Sequence, residues 1–383
     1  MTNFFADEAE LHEQATKITG LEDFGDQTYR EGLQTLLGSL EESAPHIESM
    51  RGFAAGLIGG VLASRLRAEQ GWKKFPQARK QPIRAPLIVV GIPRSGTTAL
   101  QQLLALDPQF QSMEQWLTTY PKPRPPRQTW EGDADYQAEV ATLAFVDQAV
   151  PEMAAMHHVE AGDASECLIP MAQSFCSNYF GSTLSVPAYD EWFLAQDQTT
   201  SFRRYADFMR LIGYGDERTW LLKNPSNILA IDALLEVFPD ARIVQTHRDP
   251  IQAVTSTCSL LMGARKMGGD PDIDGLRRYV AKRETHIYAT GIERIMKSRA
   301  RAEGRILDID FRAFNTEPLV QVQSIYQHFD LELRPQVRAA MQDWLDNNPP
   351  GKHGAHRYAP NDFGFDADRL RERFADYIRA FNL

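Results

Sequence analysis

The stretch Pro86–Leu100, PLIVVGIPRSGTTAL, leaves this chain few ways to fold. Leu87–Val90 are four aliphatic residues in a row, three of them β-branched, as in a strand buried on both faces of a parallel sheet. A glycine ends the run. A second glycine leads into Thr97, Thr98 and an apolar helical pattern that continues to Leu106. A strand that turns through glycines into a helix aims backbone N–H groups and the positive helix end at one point, which makes a cradle for an anion. Gly91 and Gly96 permit the tight turn and a close approach of the ligand. Ser95, Thr97 and Thr98 add hydroxyl donors, and Arg94 adds a planar charged fork suited to phosphate or sulfate oxygens.

The spacing of this loop is that of a P-loop, with one departure. The P-loop pattern puts Lys directly after the second glycine, and Thr97 stands there instead. In nucleoside triphosphatases that Lys reaches the β- and γ-phosphates, and Mg²⁺ sits on the next hydroxyl. The strand end VQTHRD presents His247 and Arg248 where a metal-binding Asp would be needed. Both features weigh against a nucleotide kinase or ATPase. That reading stays as an alternative, beside a nucleotide-binding protein without catalysis.

A second βαβ pattern lies downstream. TWLLK reads as a strand, NPS as a turn, NILAIDALLEVFPD as a helix and ARIVQTH as a strand. RDPIQAVTSTCSLL opens a further helix, with Asp249 as N-cap and Pro250 in its first turn. Residues 272–300 predict a long amphipathic helix, GRILDIDF a strand and TEPLVQVQSIYQHFD a helix. Alternating strands and helices predict an α/β fold, a parallel sheet with helices on both faces. Residues 1–84 read as a helical N-terminal extension, with Leu33, Leu36, Leu37 and Leu40, then Leu57, Val61, Leu62 and Leu66, at helical spacing. Residues 85–383 read as the α/β domain, with a helical acceptor-side insertion over 135–215 and a basic loop over 350–364.

The totals narrow the function. The 383 residues carry a net charge of −10, which excludes wholesale nucleic-acid binding and confines any polyanion site to a local basic pocket. Cys167, Cys176 and Cys258 are widely spaced and form no CxxC pair, so neither a disulfide framework nor a zinc site is expected. The acidic N-terminus MTNFFADEAELHEQ has no signal-peptide pattern, and GFAAGLIGGVLASRL is too short and glycine-rich to span a bilayer. A cytoplasmic protein is expected, with the N-terminal helices available as a homodimer surface.

With these residues in view, GIPRSGTTAL closely resembles the 5′-phosphosulfate loop of the PAPS-dependent sulfotransferases. ARIVQTHRDPIQAVTSTCSL resembles their 3′-phosphate-binding strand and helix, in which an Arg and a Ser eight positions later hold the 3′-phosphate; Arg248 and Ser256 have that separation. GLEDFGDQTYREGLQTLLGSLE, MHHVEAGDASECL and GKHGAHRYAPNDFGFD resemble blocks of the bacterial branch. The resemblance implies a P-loop-like sulfotransferase fold and transfer of a sulfuryl group from PAPS to an acceptor hydroxyl, with an amine as the weaker choice, leaving PAP and requiring no metal. It implies Arg94 and Lys223 as the cations at the breaking bond, and Arg357, within the glycine-containing basic stretch GKHGAHRY, as part of a lid over the nucleotide. A general base is needed. The His that many cytosolic relatives place two positions after the Lys is Pro225 here. Two replacements compete: His157, with Glu166 nearby to orient it and His158 if the register slips by one, and Glu114 in SMEQWL. Aromatic residues of SFCSNYFGSTLSVPAYDEWF suit a small flat or lipid-like alcohol as acceptor.

Overall fold

The computed structural model describes residues 4–149, 151, 159–349 and 359–383. Its fold starts from the aliphatic runs. Leu87–Gly91 forms β1, Phe110–Gln111 β2, Thr219–Lys223 β3, Arg242–His247 β4 and Ile306–Asp310 β5. They pair in one sheet of order β2-β3-β1-β4-β5, and every pairing is parallel. All five residues of β1 are buried, as its two-sided packing demands. Alternation places Leu87 and Val89 on one face and Ile88 and Val90 on the other. The first face meets Leu100, Leu103 and Leu104 of the helix Thr97–Ala105, Val322 and Ile325 of the helix Pro318–His328, and Met341.

The strands expected from the sequence form at TWLLK, ARIVQTH and within GRILDIDF. The helices Pro250–Lys266, Ile273–Ser298 and Pro318–His328 also form where their patterns predict. Two local expectations change. The segment after β3 is first a 3-10 turn, Pro225–Ala230, and becomes α-helix only over Ile231–Val237. Asn224 starts the tighter turn by accepting from the Ser226 N–H at 3.0 Å, and Pro239 stops the helix by restricting Phe238. The edge strand β2 is new; two residues are too few to show a period.

The chain divides into two compact units. The sheet, with Ile83–Ser112, Arg218–Met262 and Asp274–Leu383, is one of them. The other joins Met1–Pro82, Met113–Glu217 and Gly263–Ile273 and is helical. Its N-terminal helices are Glu8–Thr19, Arg30–Ser43 and Glu48–Lys74, and Leu33, Leu36, Leu40, Val61, Leu62 and Leu66 turn into its interior. Arg65 is fully buried there and fully used. It donates to the carbonyls of Phe24 at 2.7 Å and of Asp26 and Gln173 at 2.8 Å, and lies 4.1 Å over the Tyr29 ring. No helix among the described residues is long and apolar enough to cross a membrane.

Candidate active site

The parallel order brings the carboxyl ends of β1, β3 and β4 side by side, which is where open α/β sheets bind ligands. The loop after β1 has a constrained backbone. Gly91 has φ +143°, and a Cβ there would stand 2.6 Å from the Thr246 carbonyl oxygen and 2.7 Å from Thr246 Oγ1 on β4. Gly91→Ala is therefore expected to lower stability by about 2 kcal/mol or more, a clash with backbone added to an unfavourable φ; a urea unfolding midpoint equal to the parent's would refute this. Gly96 has φ +87°, and a Cβ there would meet the Phe311 ring at 3.0 Å. Between them Arg94 takes φ +66°, a left-handed conformation that costs a residue with a Cβ roughly 1–2 kcal/mol.

Inside the turn, Ser95 is completely buried, and its hydroxyl reaches the Ile92 carbonyl at 2.5 Å and Thr246 Oγ1 at 2.6 Å. This hydroxyl braces the loop against β4. The helix Thr97–Ala105 has Gly96 as N-cap with no side-chain capping bond, which leaves its first N–H groups to the open end. An anion placed there would find amides, the helix dipole and the hydroxyl of half-buried Thr98.

Cations close in from the neighbouring strands. Lys223, the last residue of β3, is 1% exposed and donates from Nζ to Thr98 Oγ1 at 3.2 Å. Arg248 comes directly after β4. Its Nη1 donates to the Arg94 carbonyl at 2.5 Å, its guanidinium lies 4.5 Å over the Phe311 ring, and its Nη2 reaches Gln252 at 3.4 Å. Arg248 Nε is buried and has no hydrogen-bond partner among the described residues. A buried charged donor without an acceptor is costly, so an anionic ligand is the fitting partner. Asp249 caps the next helix, accepting from the Ile251 N–H at 2.8 Å. That helix carries Ser256, buried, whose Oγ accepts from Arg94 Nε at 3.2 Å. A cavity of about 390 Å³ opens beside Arg248, with Gln252, Phe311, Asn315 and Thr316 in its wall. Among the described residues no group of three or more His, Cys, Asp or Glu side chains is placed to hold a metal ion.

Arg94, Ser95, Gly96, Thr97, Thr98, Lys223, Arg248 and Ser256 thus gather at one edge of one sheet. Glu114 belongs to the helical unit. There it is 12% exposed, and both its oxygens accept from Arg124 Nε at 2.9 Å. His157, His158 and Arg357 lie outside the described residues. Phe311 and Thr246 join the site without any sequence signal. Each sits at a strand end, but only the three-dimensional register brings them against the loop.

The sulfotransferase family model matches residues 86–335, the region that contains all five strands. The chain belongs to the sulfotransferase family. It is similar over 98% of its length to sulfotransferase STF1 from Mycobacterium tuberculosis H37Rv, with 34% identity and a TM-score of 0.89, covering 100% of that chain. Sulfotransferase STF9 from Mycobacterium avium shares the fold at a TM-score of 0.90, with 24% identity, over 100% of this chain and 98% of that one. A curated relative, the omega-hydroxy-beta-dihydromenaquinone-9 sulfotransferase Stf3 of Mycobacterium bovis, is 25% identical over 291 residues, 68% of each chain. The resemblance drawn from the phosphosulfate-type loop and the HRDP segment is thereby confirmed, as is the parallel-sheet fold. The protein is a sulfotransferase, a transferase of sulfur-containing groups.

Proposed function

We propose that this sulfotransferase draws its sulfuryl group from PAPS and delivers it to the hydroxyl of a small apolar, lipid-like or aromatic acceptor. One observation carries the reading of the donor: Arg94, Arg248 and Ser256 meet around a glycine loop whose helix end is uncapped. Two anionic groups of one nucleotide match that arrangement. The 5′-phosphosulfate would lie on the loop amides, Thr97, Thr98 and Arg94. The 3′-phosphate would lie on Arg248 and Ser256, where Arg248 Nε lacks an acceptor among the described residues. Arg357 would cover the nucleotide.

In the transfer, the acceptor oxygen forms its bond to sulfur as the bond from sulfur to the bridging phosphate oxygen breaks. The electron pair of the broken bond stays on that oxygen, which becomes part of PAP. Positive charge fixed beforehand near that oxygen lowers the barrier. Lys223 and Arg94 are the side chains for this work. Lys223 is held by the Thr98 hydroxyl at the head of the loop helix, so the helix that would bind the anion also orients the cation.

The acceptor proton goes to a general base, His157 or Glu114. The ion pair with Arg124 gives Glu114 a structural occupation already, which favours His157. In the variants His157→Ala and Glu114→Ala, the true base is expected to lose about 10²–10⁴ in kcat with PAP binding kept. Equal turnover in both variants and the parent would dismiss both candidates. Support for a lipid-like alcohol comes from the relative whose name specifies an omega-hydroxy-dihydromenaquinone. A panel of hydroxylated compounds incubated with PAPS should yield at least one product heavier by a sulfuryl group. Stronger thermal stabilisation by ATP and Mg²⁺ than by PAP would point to the kinase reading instead.

A further inference from the structure

Next to the site lies a buried polar cluster that the transfer chemistry does not use. His247, the last residue of β4, is 2% exposed and directly precedes Arg248. Its Nε2 is 2.8 Å from Asp308 Oδ1 on β5 and its Nδ1 is 3.1 Å from the Tyr377 hydroxyl. Its ring stacks on Phe381 at 3.7 Å between centroids and 17° between planes. Tyr377 and Phe381 belong to the last helix, Ala375–Phe381. Arg299 completes the group, donating to Asp308 Oδ2 at 2.6 Å and to Gln245 at 2.8 Å.

The proton positions derive from these partners. Burial pulls the His247 imidazole below its ordinary range against the pull of Asp308, so the ring is neutral at pH 7. Burial acts to raise Asp308, but the hydrogen bonds from His247 and Arg299 outweigh it and hold the carboxyl low. Asp308 is then a carboxylate that only accepts, so Nε2 carries the imidazole proton and Nδ1 is the acceptor. The Tyr377 O–H therefore donates to His247 Nδ1. Burial pushes the Tyr377 phenol up, so it keeps the proton that it donates. His247 directly precedes Arg248 in the chain, and the Arg248 guanidinium donates to the Arg94 carbonyl.

The cluster therefore links Arg299 and His247 to Asp308 and Tyr377 to His247, and the residue after His247, Arg248, reaches by its side chain to the left-handed residue of the loop. We propose that Tyr377, bonded to His247, is a positioning residue that fixes the end of β4, and through Arg248 the Arg94 turn, so that the last helix determines affinity for the doubly anionic nucleotide. The proposal rests on the reading of Arg248 as the 3′-phosphate ligand. It concerns a residue outside every motif that marks the site, and a hydroxyl that need never touch substrate.

The test is Tyr377→Phe, which keeps the ring and removes only the hydroxyl. Tyr326→Phe is the control. It deletes another buried hydroxyl of the same unit, one that donates to Asp107 at 2.8 Å. Affinity for PAP is measured by titration calorimetry, and KM for PAPS and kcat by initial rates. Tyr377→Phe is expected to weaken PAP binding and raise KM for PAPS on the order of fivefold or more, as loss of one buried hydrogen bond does, with kcat moved far less. Tyr326→Phe should leave PAP affinity at the parent value. An unchanged PAP affinity in Tyr377→Phe, or an equal loss in both variants, would overturn the positioning role. If Arg248→Ala still binds PAP like the parent, the reading of the 3′-phosphate site falls first, and the measurement separates that failure from the other.

Discussion

Replacing Arg248 by alanine is expected to remove measurable PAP binding while the protein stays folded. The side chain is half-buried, its guanidinium is clamped between the Arg94 carbonyl and the Phe311 ring, and its Nε has no partner among the described residues. On the proposed reading, the alanine variant would lose a charge-assisted contact to the nucleotide, and it also releases the Arg94 turn. Truncating one side of a buried charged pair costs about 2–5 kcal/mol, a factor of roughly 30 to several thousand in affinity. Isothermal titration with PAP checks the loss, and a circular dichroism melt checks the fold. Binding within a few fold of the parent would remove Arg248 from the site. Arg248→Lys keeps the charge but loses the planar fork, so it should recover only part of the affinity.

The second large effect is on rate. Lys223→Ala should lower kcat about 10²–10³-fold, in the range seen when one preorganised donor to developing charge is deleted. Affinity for PAP should fall as well, because the oxygen on which Lys223 would act stays with PAP, so kcat is read at saturating PAPS. The side chain is almost wholly buried, and its ammonium is directed by Thr98. Its stabilising effect is thus delivered in a site of low dielectric, where a charge acts strongly. A kcat near that of the parent with saturating PAPS would show that the Lys serves only to pack the end of β3.

Much of this architecture is readable from the chain because it rests on local patterns. The strand β1 arises from an uninterrupted aliphatic run, β3, β4 and β5 from shorter apolar runs within TWLLK, RIVQTH and ILDID, and Asp249-Pro250 announces its helix. The separation of Arg248 and Ser256 also anticipates that both reach one place, since a strand end and the second turn of the next helix point the same way. The features without a local pattern depend on partners far along the chain. Ser95 has the composition of a ligand donor, yet its hydroxyl is engaged by Thr246, 151 positions away. Glu114 has the chemistry of a base, yet Arg124 occupies it. Neither pairing has a periodic signal. The left-handed turn at Arg94 is equally invisible, because sequence rules assign that conformation to glycine and asparagine, not to arginine. The two-residue β2 falls below the length at which alternation can be seen.

The conformation of Arg94 bears on how the protein could change. Glycine would suit the backbone at that position better than any residue with a side chain, and would discard the guanidinium that the proposed transfer relies on. Selection for a sturdier fold and selection for turnover therefore pull position 94 in opposite directions. A chain that keeps arginine there while its neighbours on both sides drift has kept it for the reaction. The same position is where a stability-driven redesign of this protein would most readily produce a well-folded molecule that does nothing.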